Sequence, residues 1–433
     1  MQKQAYTPEL DRSNTNNRRH LWLGGIICAV AALFYCYEFI LRIIPGILEG
    51  ELSAAFGHIS ATVFGQLAAL YYFAYSPMQM PVGLLMDRFG PRRLLSLACL
   101  CCTLGSFLFT IFSSITIAGI GRLFVGFGSS FAFVGVLYLT THWLPKRYFS
   151  LVVGLTTTLS MLGLVYGEVQ VTHLVANLSL RSVLMGLVII GGGLTLFIAA
   201  LVRDGDKASA VKSDPWSKFI RDVVKVLLSP QVWLIGFVGA CLYTSLSVFG
   251  ELWGKTYLEN AHHLSKFVAA KTMSALFLGW AVGAPLFGYL SDHTGRRKLP
   301  LLFGAVGALI CISFILYFPS LPYAVLYVLL FLYGVFSGTE IIVFVMAKEN
   351  SGASLSGTVF AATNLIVTLA GGIFQPMVGF LLDTVHRAQG LEGASQHLFI
   401  AADYQIALAI LPISLILVIF CGFLLKDHKK ILL

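Results

Sequence analysis

The stretch Gly83-Leu-Leu-Met-Asp87-Arg88-Phe-Gly90-Pro-Arg92-Arg93 decides the fold, because the other half of the chain carries a second copy of its pattern. The second copy is Gly288-Tyr-Leu-Ser-Asp292-His-Thr-Gly295-Arg296-Arg297-Lys298, and it begins 205 residues after the first. Both copies fit Gly-x-Leu-x-Asp-x-x-Gly-x-Arg-[Arg/Lys]. Each follows the second long apolar run of its half, so the chain contains an internal repeat.

The composition places this repeat in a membrane protein. Of the 433 residues, 57% are hydrophobic and 11% are charged, whereas soluble domains are about 25% charged. The chain therefore has too little charge to cover a water-facing surface of its size. This excludes a soluble enzyme or a soluble nucleic-acid-binding protein.

The apolar runs predict twelve membrane-spanning helices, because a span needs about 20 mostly apolar residues. The first six lie near residues 21–45, 61–85, 93–112, 115–142, 149–173 and 182–202. The second six lie near residues 231–257, 266–290, 298–317, 321–347, 354–383 and 402–425. The fold class is thus an all-α integral membrane protein with two six-helix bundles, 1–202 and 231–433. The linker, 203–230, is polar, and we expect a short amphipathic helix on the membrane surface around Trp216 to Leu228.

The basic residues predict the topology, because cytoplasmic loops are enriched in Lys and Arg. Alternate loops place 22 of the 29 Lys and Arg residues on the side of the two termini and 5 on the opposite side. Both termini are therefore predicted to be cytoplasmic. This asymmetry also accounts for the net charge of +9 without a nucleic-acid partner.

With its two loop copies and its six-plus-six arrangement, the chain resembles the major facilitator superfamily. Arg122, within Gly121-Arg122-Leu-Phe-Val-Gly126-Phe-Gly128, is similar to an arginine motif in the fourth helix of that family. Gly154-Leu-Thr-Thr-Thr-Leu-Ser-Met-Leu-Gly163 departs from the glycine-proline signature typical of the family's drug antiporters in the fifth helix. The resemblance implies a transporter and weakens the case for drug export.

Three further stretches resemble a bacterial subgroup of phagosomal nutrient transporters of intracellular pathogens. They are Glu251-Leu-Trp253-Gly, Lys348-Glu349-Asn350 and Phe374-Gln375-Pro376-Met-Val-Gly379-Phe-Leu-Leu-Asp383. Members of this subgroup are associated with uptake of amino acids and of carboxylate siderophores. The resemblance implies a small polar organic solute and a location in a bacterial inner membrane.

Ionisable residues inside the predicted spans are candidate sites, because a charge at membrane depth is costly unless it faces a wet cavity or a partner. Glu38 and Arg122 are expected at similar depth, and Arg42 lies one helical turn beyond Glu38. In one interpretation Glu38 and Arg42 only neutralise each other near the outer boundary. In the other, Glu38 binds a proton or a substrate amine and Arg122 binds a carboxylate, for which its planar fork is suited.

The remaining candidates are spread over both halves. Glu251 and Lys255 repeat the acid-then-base spacing, and either a cavity or a boundary ion pair fits them. Glu168 and Glu340 either line the cavity or form bonds between helices. Tyrosines at helical spacing near Glu38, including Tyr35 and Tyr71, offer hydroxyl groups to a polar solute.

The repeated loops are predicted to form a conformational gate between the bundles or a contact with lipid headgroups. The candidate gate residues are Gly83, Asp87, Arg88, Gly90, Arg92, Asp292, Gly295 and Arg296.

The leading hypothesis is a secondary transporter that works by alternating access. Protons are the expected coupling ion, because acids occur at membrane depth. We expect a small-molecule substrate, protons and membrane lipid as partners, a monomer, and no metal or cofactor. The sequence Gly-x-x-x-x-Gly-Lys-[Ser/Thr] does not occur, which disfavours an ATP-driven pump. The alternatives are a siderophore importer, a proton-driven exporter and a transport-silent sensor. The two-fold repeat disfavours a channel, and the dispersed histidines disfavour a membrane enzyme.

Overall fold

The computed structural model describes residues 8–111, 114–204, 216–318, 320–350, 355–389 and 399–425. Side chains are described within these ranges except for residues 8–20 and Ser356. No β-strand occurs in the described ranges. The chain is thus all-α, as the sequence predicts.

Helices account for nearly all of the described chain. The first half contains α1 Pro8–Ile47, α2 Glu49–Ala55, α3 Ala61–Met78, α4 Val82–Phe89, α5 Pro91–Ile111, α6 Ile115–Trp143, α7 Phe149–Asn177 and α8 Leu180–Leu201. The second half contains α10 Pro230–Thr244, α11 Gly254–Ala261, α12 Lys266–Thr294, α13 Lys298–Tyr317, α14 Tyr323–Ser337, α15 Ile341–Glu349, α16 Ser356–Ala388, α17 Ala401–Ala407 and α18 Ile410–Leu424. Between the halves lies α9 Trp216–Leu227, where the amphipathic helix is predicted.

Eleven helical stretches in the described chain are long and apolar enough to cross a membrane, and each overlaps a predicted span. The predicted span 61–85 overlaps none of them. There α3 and α4 divide the segment at residues 79–81, and Gln66 with Tyr71, Tyr72 and Tyr75 lowers the apolar character of α3. The twelfth span, like the cytoplasmic position of the termini, stays a prediction.

Contacts between helix termini define two ends of the bundle. One end carries both copies of the repeated loop and the linker helix α9. There Arg92 contacts the last turn of α8 and Lys298 contacts the last turn of α18. We call this the motif end. The opposite end, where α1 meets α11 and α3 begins, is the far end.

The two halves of the chain contact each other through three sets of helices. They are α3 with α16, α7 with α12, and the last turns of α1 with the segment that joins α10 to α11. Aromatic and aliphatic side chains fill these contacts, and Phe34, Phe64, Trp253 and Phe277 are almost fully buried. Of the charged residues that the sequence singles out, Glu38, Arg42 and Glu251 lie along the third set, and Glu168 lies on α7 of the second.

Candidate functional site

Four charged side chains are buried together where the halves meet. Glu38 and Arg42 come from α1, Arg122 comes from α6, and Glu251 comes from the segment between α10 and α11. Each exposes 4% of its surface or less. Two acids and two bases leave this group, the central cluster, without net formal charge when all four are ionised. Charges this deep in a protein require partners.

The segment that carries Glu251 is a π-helix, Ser245–Trp253. Such segments have a wider turn than an α-helix and occur frequently at functional sites. In an α-helix Glu251 and Lys255 would stack four residues apart, but the wider turn separates them. Lys255 instead lies 3.3 Å from Glu259 and donates to the carbonyl oxygen of Ile47 at 2.5 Å. The boundary pair of Glu251 with Lys255 that the spacing permits does not form.

Gly46 explains how α1 approaches the π-helix so closely. A Cβ at this position would lie 2.2 Å from the carbonyl oxygen of Glu251, which no side chain tolerates. Glycine therefore allows the two backbones to touch. The contact brings Glu251 within reach of Arg42, one turn before Gly46.

Arg42 binds acids from both halves of the chain. Its Nη2 donates to both carboxylate oxygens of Glu38 at 3.2 Å, which is the predicted pair along α1. Its Nη1 donates to the hydroxyl of Tyr243 at 3.1 Å and lies 3.8 Å from Oε1 of Glu251. The guanidinium also lies 4.2 Å from the ring centroid of Phe39, a cation–π contact. The Glu38–Arg42 pair is thus part of a contact between the halves.

Two tyrosines of α3 donate hydrogen bonds to the two carboxylates of the central cluster. Tyr71 donates to Oε2 of Glu38 at 3.0 Å, and its neighbour Tyr72 donates to Oε2 of Glu251. Each acid therefore has one tyrosine donor and one contact with Arg42. Among the described residues, Oε1 of Glu251 and Nε of Arg42 have no hydrogen-bond partner.

Arg122 contacts backbone rather than carboxylate. Its guanidinium donates to the carbonyl oxygen of Leu41 at 2.9 Å and, at 3.4 and 3.5 Å, to those of Arg42 and Ala68. It also lies 5.2 Å from the ring centroid of Tyr71. Arg122 thus joins α1, α3 and α6 behind the central cluster. A cavity of about 20 Å³ adjoins it, enough for about one water molecule.

The other predicted acids and the first predicted tyrosine lie apart from these contacts. Glu168 in α7 and Glu340 in the 3-10 turn Gly338–Glu340 are both buried, and neither forms an ion pair with any described residue. Tyr35 packs its ring against Phe39, with centroids 4.8 Å apart. Whether these residues face a solute stays a prediction.

At the motif end, the first repeated loop is bound to its own half and to the linker, and the second loop to its own half. Gly90 has a positive φ of 79°, which glycine adopts without strain, and Asp204 accepts from the backbone N–H of Arg92 at 3.0 Å. The side chain of Arg92 donates to the carbonyl oxygen of Ala199. The exposed Arg88 lies 5.7 Å from the ring centroid of Trp216 in the linker helix.

In the second loop Arg297 is buried and forms the side-chain contacts, whereas the predicted gate residue Arg296 is exposed. Arg297 donates to Asp292 and to Glu349, both at 2.7 Å, and joins α12 to α15. The hydrogen bonds to Glu349 raise the pKa of Arg297 further above its usual range. The 205-residue repeat aligns Arg297 with Arg92, so the signal was present in the sequence. The gating role of both loops stays a prediction.

The sequence also missed Tyr72, Tyr243 and Glu349 as functional residues. Tyr72 directly follows Tyr71, but adjacent helical residues point in different directions, and this difference directs Tyr72 to Glu251. Nothing in the spacing of Tyr243 distinguishes it from other apolar-helix tyrosines. Its contact with Arg42 depends on the meeting of the two halves.

The fold and the central cluster together define a multi-span membrane protein with buried charges between two repeated halves. A sequence profile of the Major Facilitator Superfamily matches residues 26–376. The chain therefore belongs to the Major Facilitator Superfamily and is a transporter of that family rather than an enzyme.

Three relatives illustrate the range of similar proteins. The probable sulfoacetate transporter SauU of Cupriavidus necator is 26% identical over 66% of this chain and 69% of its own length. The human lysosomal dipeptide transporter MFSD1 is 23% identical over 64% of this chain and 62% of its own length. The membrane sensor protein UhpC of Escherichia coli is 22% identical over 87% of this chain and 89% of its own length.

Solved structures share the fold. An inward-facing, unoccupied bacterial homologue of the human lysosomal transporter Spinster has a TM-score of 0.74 and 16% identity, over 93% of this chain and 96% of that chain. The nucleoside transporter NupG, in a mutant form, has a TM-score of 0.73 and 13% identity, over 93% and 99%. At these identities the similarity concerns the fold alone.

Proposed function

We propose that this transporter moves a small organic solute bearing a carboxylate by alternating access, with protons as the coupling ion. The observation that carries the proposal is Arg42, a buried cation that contacts Glu38 of its own helix and Glu251 of the other half. A charge shared by both halves at the contact between them responds to any rocking of one half against the other.

Proton coupling follows from competition for Arg42. A proton on either carboxylate neutralises one of the two negative charges that face the Arg42 guanidinium. The guanidinium then binds the carboxylate of a solute, for which its planar arrangement of N–H groups is suited. Release of the proton restores the internal ion pair and displaces the solute. Solute and proton are thereby bound in the same state of the cluster and released together.

The chemistry of the cluster favours an acid or a zwitterion over a sugar. Sugar sites are built mainly from amides and aromatic rings, whereas this site holds two acids and two arginines. The names of two relatives specify sulfoacetate and dipeptides, and both compounds contain a carboxylate. Amino acids, peptides, organic acids and carboxylate siderophores all fit this class.

The arrangement in the membrane is part of the proposal. We place the motif end in the cytoplasm of a bacterial inner membrane, with twelve spans, 1–202 and 231–433 as the two bundles, and the monomer as the working unit. The concentration of basic residues in the loops of the motif end supports this orientation.

Thermal unfolding of the purified protein tests the substrate class. The panel contains amino acids, dipeptides, dicarboxylates, sulfoacetate, citrate-type chelators and cationic drugs. A solute at 100 times its Kd stabilises the protein by about 2.7 kcal/mol. We expect a carboxylate-bearing compound to raise the Tm, and Glu251→Gln, which mimics the protonated acid beside Arg42, to retain that shift. Stabilisation by cationic drugs alone would contradict the proposal and favour export.

Counterflow in proteoliposomes then separates a transporter from a sensor. We expect the stabilising acid to exchange across the membrane. Binding without exchange would contradict transport and would indicate a sensor, as in the name of the relative UhpC.

A further inference from the structure

Asp383, in the penultimate turn of α16, caps a helix that belongs to the other half of the chain. Its carboxylate accepts from the backbone N–H of Ala61 at 3.1 Å and from that of Thr62 at 2.8 Å. It also accepts from the hydroxyl of Thr62 at 2.5 Å. Asp383 exposes 8% of its surface, so these three bonds are largely shielded from water.

The first turn of α3 depends on this carboxylate. The first N–H groups of any helix lack partners within the helix, and the positive end of the helix dipole favours a negative charge there. The side chain of Ser60, the N-cap residue of α3, accepts from the N–H of Val63, at 3.3 Å. The N–H groups of Ala61 and Thr62 are satisfied by Asp383 of the second half.

The backbones of α3 and α16 pack closely against each other at this point. A Cβ on Gly379 would lie 2.2 Å from the carbonyl oxygen of Ala61. Toward the motif end the same two helices are joined by Ser76 with Thr368 at 2.8 Å and by Asn364 with Gln79 at 2.9 Å. Separation of the halves at the far end therefore has to break the bonds of Asp383.

We propose that Asp383 is a gate residue that holds the far end closed by capping α3 across the contact between the halves. The proposal rests on the proposed alternating access. When the far end opens, water replaces Asp383 at the freed N–H groups, so the bond is exchangeable. The ion pair of Lys266 with Glu51, at 2.5 Å, joins the halves at the same end but is partly exposed.

Asp403 provides a matched control. It is also a buried aspartate at the far end, and it accepts from the N–H of Ile400 at the start of its own helix, α17, at 3.0 Å. It also binds His386 at 2.8 Å. These partners all belong to the second half, so loss of the Asp403 carboxylate does not favour separation of the halves.

Backbone hydrogen exchange of the full-length protein in lipid nanodiscs, followed by mass spectrometry, tests the proposal. In D383A we expect about tenfold faster exchange at 44–50 and 252–262, far-end segments that do not touch Asp383. We also expect slower exchange around Gln79 and Asn364 at the motif end, because opening one end closes the other. D403A is expected to leave the motif end unchanged.

Faster exchange at both ends in D383A would overturn the proposal, because a general loss of stability loosens the whole protein. No change at the motif end would also overturn it, because the two ends would then not be coupled. If D383A does not fold, D383N and T62V, which remove the charge or one donor, are compared in the same way. A wild-type protein without transport, combined with opposite changes at the two ends in D383A, would refute the proposed function and leave the gate standing. Normal transport by the wild type, combined with exchange that changes uniformly across D383A, would refute the gate and leave the proposed function standing.

Discussion

At the scale of a single residue, Arg42 is the observation that favours a functional site over a purely structural feature in the central cluster. A buried ion pair costs about as much in desolvation as it returns in attraction, so it is weak support for stability. Arg42 is nevertheless held by two acids, a tyrosine and the ring of Phe39. A charge that is expensive to bury and contacts both halves suits a switch between states.

The tyrosine donors give a prediction that a single hydroxyl tests. Tyr72→Phe removes the hydrogen bond to Glu251 while the ring stays in place. Hydrogen bonds to charged groups contribute about 1.5 to 3 kcal/mol, so we expect uptake in proteoliposomes to fall by about tenfold or more. Tyr166→Phe is the control, because Tyr166 is 64% exposed. Equal uptake by the two variants would show that Tyr72 has no part in the site.

Individual contacts were only partly predictable from the sequence. The spacing of Glu38 and Arg42 predicts their pairing, because residues four apart on a helix share a face. The partner in Glu251 depends on the packing of α1 against the π-helix, which local spacing does not encode. Likewise, the sequence indicates Arg122 as a carboxylate anchor, whereas its guanidinium lies on backbone carbonyl oxygens.

At the scale of elements, the crossing of α1 and the π-helix determines whether the central cluster forms. Gly46→Ala places a methyl group where the carbonyl oxygen of Glu251 now lies. We expect the helices to separate, with a loss of about 1 to 3 kcal/mol, as for other overpacked sites, and loss of uptake. Thermal unfolding and proteoliposome uptake measure both effects.

Gly154→Ala is the matched control for Gly46→Ala. Gly154 lies within α7 with open space around its Cα, and alanine is the better helix former by up to about 1 kcal/mol. We expect this variant to be as stable as the wild type or more stable. A similar loss of stability in both variants would show that the crossing is not special.

The short helix α2 carries acids with opposite environments. Burial raises the pKa of Glu49 to about 7, the Glu259 carboxylate of the other half adds to this, Lys255 opposes it, Glu51 adds to it and Lys266 opposes it. Burial alone would also raise the pKa of Glu51, but its hydrogen bond from Lys266 holds that pKa below its ordinary value. The contributions of Glu49 and Glu51 to stability therefore change with pH in opposite directions.

These pKa shifts predict the pH dependence of stability at the far end. An acid with a raised pKa stabilises the fold fully below its ordinary pKa, and the contribution is lost as pH rises to about 7. Glu49→Gln should therefore reduce the fall in Tm between pH 5 and 8. Glu51 contributes stability above its ordinary pKa that is lost on acidification, so Glu51→Gln should reduce the fall in Tm at low pH. If both variants reduced the fall in Tm over the same pH range, this account would be contradicted.

Most elements follow from the apolar runs, because each run must be long enough to span and ends where charges begin. The predicted span 61–85 divides beside Pro77 and Pro81, and proline lacks the N–H that continues a helix, so the signal for this division is present in the sequence. By contrast, the π-helix was not predictable. Its effect appears only in the direction of Glu251 and Lys255.

At the scale of the whole molecule, two contacts at the opposite ends of α3 and α16 surround the charged site. Asp383 joins the halves at the far end, and Asn364 with Gln79 joins them toward the motif end. The central cluster lies between these contacts, where the charge on Arg42 is shared by both halves. Rocking about this position is the motion that the proposed function requires.

The most direct test of proton coupling through the central cluster is uptake by proteoliposomes under an imposed pH gradient. The substrate is the acid that stabilises the purified protein, and a trapped pH-sensitive dye reports proton movement. The account predicts that the gradient drives uptake together with protons, and that Glu38→Gln and Glu251→Gln abolish gradient-driven uptake while exchange of the acid persists. Uptake that ignores the gradient, or that remains gradient-driven in both variants, would contradict it.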